Sequence, residues 1–147
     1  MPLAPTMPSP QGLDFIKRYQ GLSLEKYCDE DGLWLIGYGH LIRDYETFDA
    51  PITHWLADTL FMLDGDYYLR VLHQCVRSPL TQSQFDAVLS LAFSLGPEAV
   101  QKSPIVDCIN QRKFQRALAL WQGEGERQSS LAIQRPAESA VFHTDIR

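Results

Sequence analysis

Apolar side chains recur along this chain first with helical spacing, then with the density of strands, then again with helical spacing to the end. Ser9-Pro10 pairs an N-cap residue with proline at the first helical position. Leu13, Phe15, Ile16 and Tyr19 then carry a helix to about Tyr19, and Gly21 stops it. Gln20 closes that helix, seven residues after Leu13 and four after Ile16, near the inward face, where a polar group needs a specific role. From Tyr27 to Ile42 the chain turns aromatic and branched. "LWLIGYGHLI", with glycines at 32, 37 and 39, reads as short strands of a tight antiparallel sheet, entered through the turn "CDEDG". Asp44 to Pro51 is a loop.

Thr53 is placed to cap a long helix reaching about Val76. Ile52, Leu56, Leu60, Leu63, Tyr67 and Val71 form its expected apolar stripe, and Gly65 sits in its middle. Thr81 and Gln84 make a capping-box pattern. The helix that follows, Phe85 to Leu95, is apolar on nearly every side and should be the most buried, with Gly96-Pro97 ending it. Further helices are predicted around Ile105–Asn110, Lys113–Gln122 and Arg135–Phe142, with "GEGERQSS" (123–130) as a loop. Helix, small sheet, then many helices make an α+β domain. Residues 10–142 form that domain, 1–9 a proline-rich extended arm and 143–147 a tail; 147 residues suit one main core divisible into two lobes.

Composition narrows the function. The start, "MPLAPTMPSP", has neither a basic nor an apolar signal region, so the chain is expected to be made in the cytoplasm without a signal peptide. Any envelope role then needs another machine for export to the periplasm. No apolar run approaches the roughly 20 residues that cross a bilayer, so no membrane insertion is expected. A net charge of −5 offers no cationic surface to nucleic acid and no attraction to the anionic bacterial wall. Cys28, Cys75 and Cys108 suggest neither a disulfide framework nor a zinc site; reduced thiols, at least two of them buried, are expected.

Three segments together resemble a known family. "GLDFIKRYQGLSLEKYCDEDGLWLIGYGHLI" (12–42) looks like the N-terminal segment of the phage-type lysozymes, glycoside hydrolase family 24. "LTQSQFDAVLSLAFSLG" (80–96) is similar to that family's central helix, and "RPAESAVF" (135–142) to its closing helix. The resemblance spans about Gly12 to Phe142. It implies a lysozyme-like fold, a small antiparallel sheet lobe with a mainly helical lobe. It also implies hydrolysis of the peptidoglycan bond between N-acetylmuramic acid and N-acetylglucosamine, without a cofactor or metal. The family's catalytic set is a Glu, an Asp nine residues on and a Thr six further. Here those positions hold Gln20, Asp29 and Leu35, and the family's usual Asn is Ser94.

Glycoside cleavage needs a proton for the leaving oxygen and a carboxylate that activates water or steadies the developing cation. A carboxamide has the shape of the acid but no acidic proton, and general acid–base catalysis alone supplies roughly 10²–10⁴-fold. Leu35 has no hydroxyl to orient water. Asp29 remains alone, and Glu25 (expected on the turn after the helix), Glu30 and Asp31 read as solvated surface carboxylates. Glu→Gln is also the exchange an experimenter uses to silence such an enzyme. A second change to leucine is needless for that purpose, so both residues read as natural.

Among the remaining residues, Tyr38 and Ser94 are candidates for a substrate or partner cleft. Trp34 is expected in a core by strand alternation, as is Trp121, and the pair Arg112-Lys113 reads as a solvated helix start. The resemblance also implies a structural ion pair between His40 and Asp64, with the histidine pKa raised. His40 has no companions at metal-ligand spacing. The leading reading is a catalytically inactive or severely impaired lysozyme-like protein that serves as a binding or assembly module. Its partner would be peptidoglycan or a protein of a phage, secretion or envelope assembly. The alternative is an active peptidoglycan muramidase.

Overall fold

In the computed structural model, which describes residues 5–144, Ser9 opens helix α1 (Pro10–Gln20). The Ser9 hydroxyl accepts the Gly12 N–H at 3.0 Å and donates to Asp86, whose carboxylate also accepts the Ser9 N–H at 3.0 Å. Glycine at 12 is required, because a Cβ there would stand 2.4 Å from Asp86 Cγ. Gly21, at φ 73°, ends the helix as its position suggests. The proposed arm and tail lie partly outside the described residues. Within the arm, the Thr6 and Met7 carbonyls accept hydrogen bonds from His73 and Gln82.

Three short antiparallel strands follow, β1 (Ser23–Cys28), β2 (Trp34–Gly37) and β3 (His40–Leu41), in the order β1-β2-β3. Tyr27 opposes Leu35, Leu35 opposes Leu41, and Cys28 opposes Trp34. Pairing begins earlier than the aromatic run implies, so Glu25 lies within β1 and not on a turn. Trp34 corrects another expectation: at the first position of β2 it is 48% exposed, with Lys26 over its ring, although it shares a strand face with Ile36, which is 0% exposed. The cysteines differ too, Cys28 being exposed, Cys75 half-buried and only Cys108 buried.

Thr53 caps α2 (His54–Cys75), its hydroxyl accepting the Leu56 N–H at 3.0 Å, and the helix runs unbroken through Gly65. Its buried face follows the stripe read from the sequence only in part: Ile52, Leu60 and Val71 are buried and Leu56 is partly so. Ala57, Leu60, Phe61, Leu69, Val71 and Leu72 are buried, whereas Leu63 and Tyr67 are exposed. Apolar residues occupy several faces of this helix, so periodicity alone could not choose among them.

The chain divides into two compact units, residues 17–67 and residues 1–16 with 68–147. In the first, Ile36, Ile52, Ala57 and Leu60 make the core, with Leu24, Tyr38, Ile42, Phe48 and Leu56 packed on it. In the second, α3 (Gln82–Leu95) carries the capping box read from its sequence and is buried from Gln84 to Ala92. Gly96 caps it, but Pro97 opens a further short helix, α4 (Pro97–Gln101), which leads to α5 (Pro104–Asn110). Arg112 takes a φ of 58° and is exposed, as expected for a solvated helix start, but its guanidinium also donates to Ser78 at 2.6 Å and to the Pro79 carbonyl, tying two segments together.

Helix α6 (Phe114–Arg127) continues through most of the segment expected to be a loop. Gly125 is buried, and a Cβ there would meet Pro136 Cδ at 3.1 Å and Arg135 Cβ at 3.2 Å. The glycine therefore permits close approach of α7 (Gln134–His143) and does not break the helix. A single 3₁₀ turn, Ser129–Leu131, joins the two.

Candidate functional site

Gln20 is the last residue of α1, so its carboxamide is presented where the helix stops and the chain turns at Gly21. Its Oε1 lies against Gly39, so close that a Cβ on that glycine would stand 2.6 Å away. Gly39 also holds a φ of 77°, in the tight link from β2 to β3. Local sequence thus builds the seat: a glycine both turns the chain and leaves room for the side chain at position 20.

Asp29 begins the hairpin turn between β1 and β2. Its Oδ1 accepts the Asp31 and Leu33 N–H groups, each at 2.9 Å, while its own N–H donates to the Leu33 carbonyl. This is an Asx-type turn, in which the carboxylate oxygen substitutes for a backbone acceptor. One Asp29 oxygen is thereby committed to holding the turn. Glu30 and Asp31 are exposed on that turn, as expected, and Glu25 is exposed on β1.

Leu35 occupies the centre of the sheet. Cross-strand partners share a face, so Tyr27, Leu35 and Leu41 form an apolar row over the three strands. A hydroxyl at position 35 would break that row; leucine completes it. Tyr38 is half-buried on the core of its unit, its ring edge-on to Phe61 with centroids 5.5 Å apart and the Lys17 ammonium 5.2 Å from its centre. Gln20, Asp29, Leu35 and Tyr38 all belong to residues 17–67.

His40 and Asp64 meet as the resemblance implies, with Nδ1 2.9 Å from Asp64 Oδ2. Sequence reasoning missed the third member: Nε2 lies 3.0 Å from Glu46 Oε1, a loop residue with no positional signature. Glu46 also accepts the Arg43 N–H at 2.8 Å. Both ring nitrogens face carboxylates, and a neutral imidazole has only one N–H to give, so the arrangement calls for the imidazolium. Burial lowers the His40 pKa, but the hydrogen bonds and charges of Asp64 and then Glu46 outweigh it and raise the value above the ordinary histidine range.

The sign follows from linkage. A raised histidine pKa stabilises the fold fully below the unfolded value of about 6.5, and that stability is lost as pH rises through the folded value. Denaturant titrations from about pH 6 upward should show falling stability. Asp64→Asn with Glu46→Gln should flatten that dependence. A double-mutant cycle on His40 and Asp64 should give a coupling of about 1.5–3 kcal/mol at about pH 6.

Ser94 lies in the other unit, where its hydroxyl accepts Arg135 Nη2 at 2.9 Å. Arg135 is 1% exposed and also donates to Glu124 at 2.8 Å and to Glu138 at 2.9 Å. Glu138, at 0%, further accepts Trp121 Nε1, Gln134 Nε2 and the Ser90 hydroxyl. Burial pushes the Glu138 carboxyl up from its ordinary pKa, opposed by Arg135 and by the hydrogen bonds from Ser90, Trp121 and Gln134. A raised carboxyl is what a general acid needs. This one is enclosed with no surface to offer a substrate, so its role is structural. The i,i+3 spacing of Arg135 and Glu138 was the sequence signal for it.

Among the described residues no group of three His, Cys, Asp or Glu could hold a metal ion, and none of their helices is long and apolar enough to cross a membrane.

Comparison with known proteins agrees with this frame. The phage lysozyme family model matches residues 17–138. The endolysin of Acyrthosiphon pisum secondary endosymbiont phage 1 is 33% identical over 144 residues, covering 92% of this chain and 97% of that protein. The endolysin of Salmonella phage P22 is 30% identical, over 91% and 96%. Among solved structures, the muramidase domain of SpmX from Asticaccaulis excentricus superposes with a TM-score of 0.80 at 30% identity, covering 92% of this chain and 97% of that one. With its small sheet, its helical arrangement and a family match over most of its length, the chain belongs to the phage lysozyme family.

Proposed function

We propose that this chain is a lysozyme-fold binding or assembly module that has lost hydrolysis or retains only a trace of it. The observation that carries the reading is the pair of side chains at the positions of proton transfer and water orientation. Gln20 has no acidic proton to transfer, and Leu35 lies in a cross-strand row with Tyr27 and Leu41. Asp29 supports it further, since one of its oxygens is engaged by two backbone N–H groups of its own turn. A carboxylate without an acid opposite lacks the division of labour that glycoside cleavage requires.

Membership of a family that includes endolysins makes peptidoglycan the natural substrate class to test. A carboxamide can hydrogen-bond a sugar oxygen, so binding without cutting remains chemically available. The net charge of −5 disfavours steering to an anionic wall, and a protein partner in a phage, secretion or envelope assembly fits the reading better. The test is muropeptide release from purified peptidoglycan by the wild-type chain and by Asp29→Asn. Asparagine keeps a carbonyl oxygen for the turn but removes the charge. Both proteins should release product only at or near background; clear wild-type turnover that disappears in Asp29→Asn would restore the muramidase reading.

A further inference from the structure

The first half of α2 carries apolar side chains on opposite faces. Ala57, Leu60 and Phe61 are buried, while Trp55, Met62 and Leu63 are 74%, 48% and 60% exposed. Together with Asp58, Thr59 and Asp66 they line a shallow groove of about 270 Å³. Steps of three, four, seven, eight and eleven residues from Trp55 place these side chains along one stripe of the helix. Single exposed apolar residues are ordinary, but a contiguous tryptophan, methionine and leucine mark an interaction surface. Tryptophan and methionine are also enriched where proteins meet, and tryptophan most often anchors the contact.

Charge indicates what sits there. Residues 17–67, the unit that bears the groove, contain ten Asp and Glu against four Lys and Arg, an excess of six negative charges. The whole chain has a net charge of −5, so all of its negative excess falls in this unit. The six lining residues include two carboxylates and no cation. Lys17 engages Asp58 at 3.0 Å, and Asp66 stands at the opposite end of the stripe from Trp55. A second copy would bring two such anionic units together, and an anionic glycan or lipid surface would meet the same repulsion.

We propose that this face of α2 docks a cationic amphipathic helix from a partner protein. Apolar residues at three- and four-residue steps on that helix seat against Trp55, Met62 and Leu63, and Lys or Arg beside them meet Asp66 and its acidic surroundings. The proposal rests on the reading of the chain as a binding module and assigns the class of its partner.

The probe is a synthetic helix of about 18 residues, five turns, with leucine on one stripe and lysine elsewhere. It is titrated calorimetrically into the full chain at near-physiological salt. Saturable one-to-one binding is expected, weakened about tenfold or more by Trp55→Ser with Leu63→Ser, by Asp66→Lys, and by glutamate in place of the peptide's lysines. The affected residues are exposed, so circular dichroism should be unchanged in both variants. Equal affinity of wild type and both variants overturns the proposal. Equal binding of a peptide with the same lysines but scrambled leucines reduces the effect to charge and also overturns it. Self-association in sedimentation equilibrium that disappears in the serine variant assigns the groove to a second copy, with the same consequence. Muropeptide release measured in parallel separates the two readings: turnover by a chain that still binds the helix refutes only the loss of hydrolysis.

Discussion

Purified peptidoglycan treated with the Gln20→Glu, Leu35→Thr double variant should release muropeptides at least about 10²–10⁴ times faster than with the wild-type chain. Glutamate is isosteric with the carboxamide, so it can take the same place against Gly39, where no Cβ intrudes. Threonine is β-branched and suits a strand, and it returns a hydroxyl to the row formed by Tyr27 and Leu41. Each single change should recover far less than the pair, because groups that act on one transition state are grossly non-additive. A folded double variant that releases nothing would mean that more of the glycan-binding surface has been remodelled than these two positions. It would also turn attention to a protein ligand.

Glu138→Ala should cost about 3–5 kcal/mol in denaturant unfolding, a large share of a typical domain's stability. The substitution leaves Arg135 buried with Glu124 as its remaining carboxylate, and it strips Trp121, Gln134 and Ser90 of a shared acceptor. Glu138→Gln is the discriminating control. It keeps the shape and one oxygen acceptor, so it should cost less, about 1–3 kcal/mol for polar groups left imperfectly paired. Equal losses in the two variants would show that packing volume, not the ion pair and its hydrogen bonds, sets the stability of this cluster.

The first prediction concerns two partly buried side chains, Gln20 and Leu35, the second a fully buried carboxyl, Glu138, and they differ in how much the sequence disclosed. The places of Gln20 at a helix end, Asp29 at a turn and Leu35 in a strand were legible because they sit inside motifs whose glycines and aromatics fix the local path of the chain. Their neighbours were not. Asp29's use as a turn acceptor depends on two N–H groups that only the folded hairpin brings to it. Glu46 reaches His40 from a loop, where no periodicity marks it.

By itself the sequence determined the helix starts at Ser9, Thr53 and Thr81, the stop at Gly21, the presence of a small antiparallel sheet and the non-ionisable amide at position 20. These follow from short-range causes: side chains capping nearby backbone groups, glycine relieving a steric clash, and an amide that cannot ionise. Only the tertiary structure decided which face of α2 is buried, that α6 runs on through Gly125, and that Trp34 lies at the surface and not, like Trp121, in a core. Those outcomes depend on which apolar surface a distant segment covers, and hydrophobicity has no direction until that partner is in place.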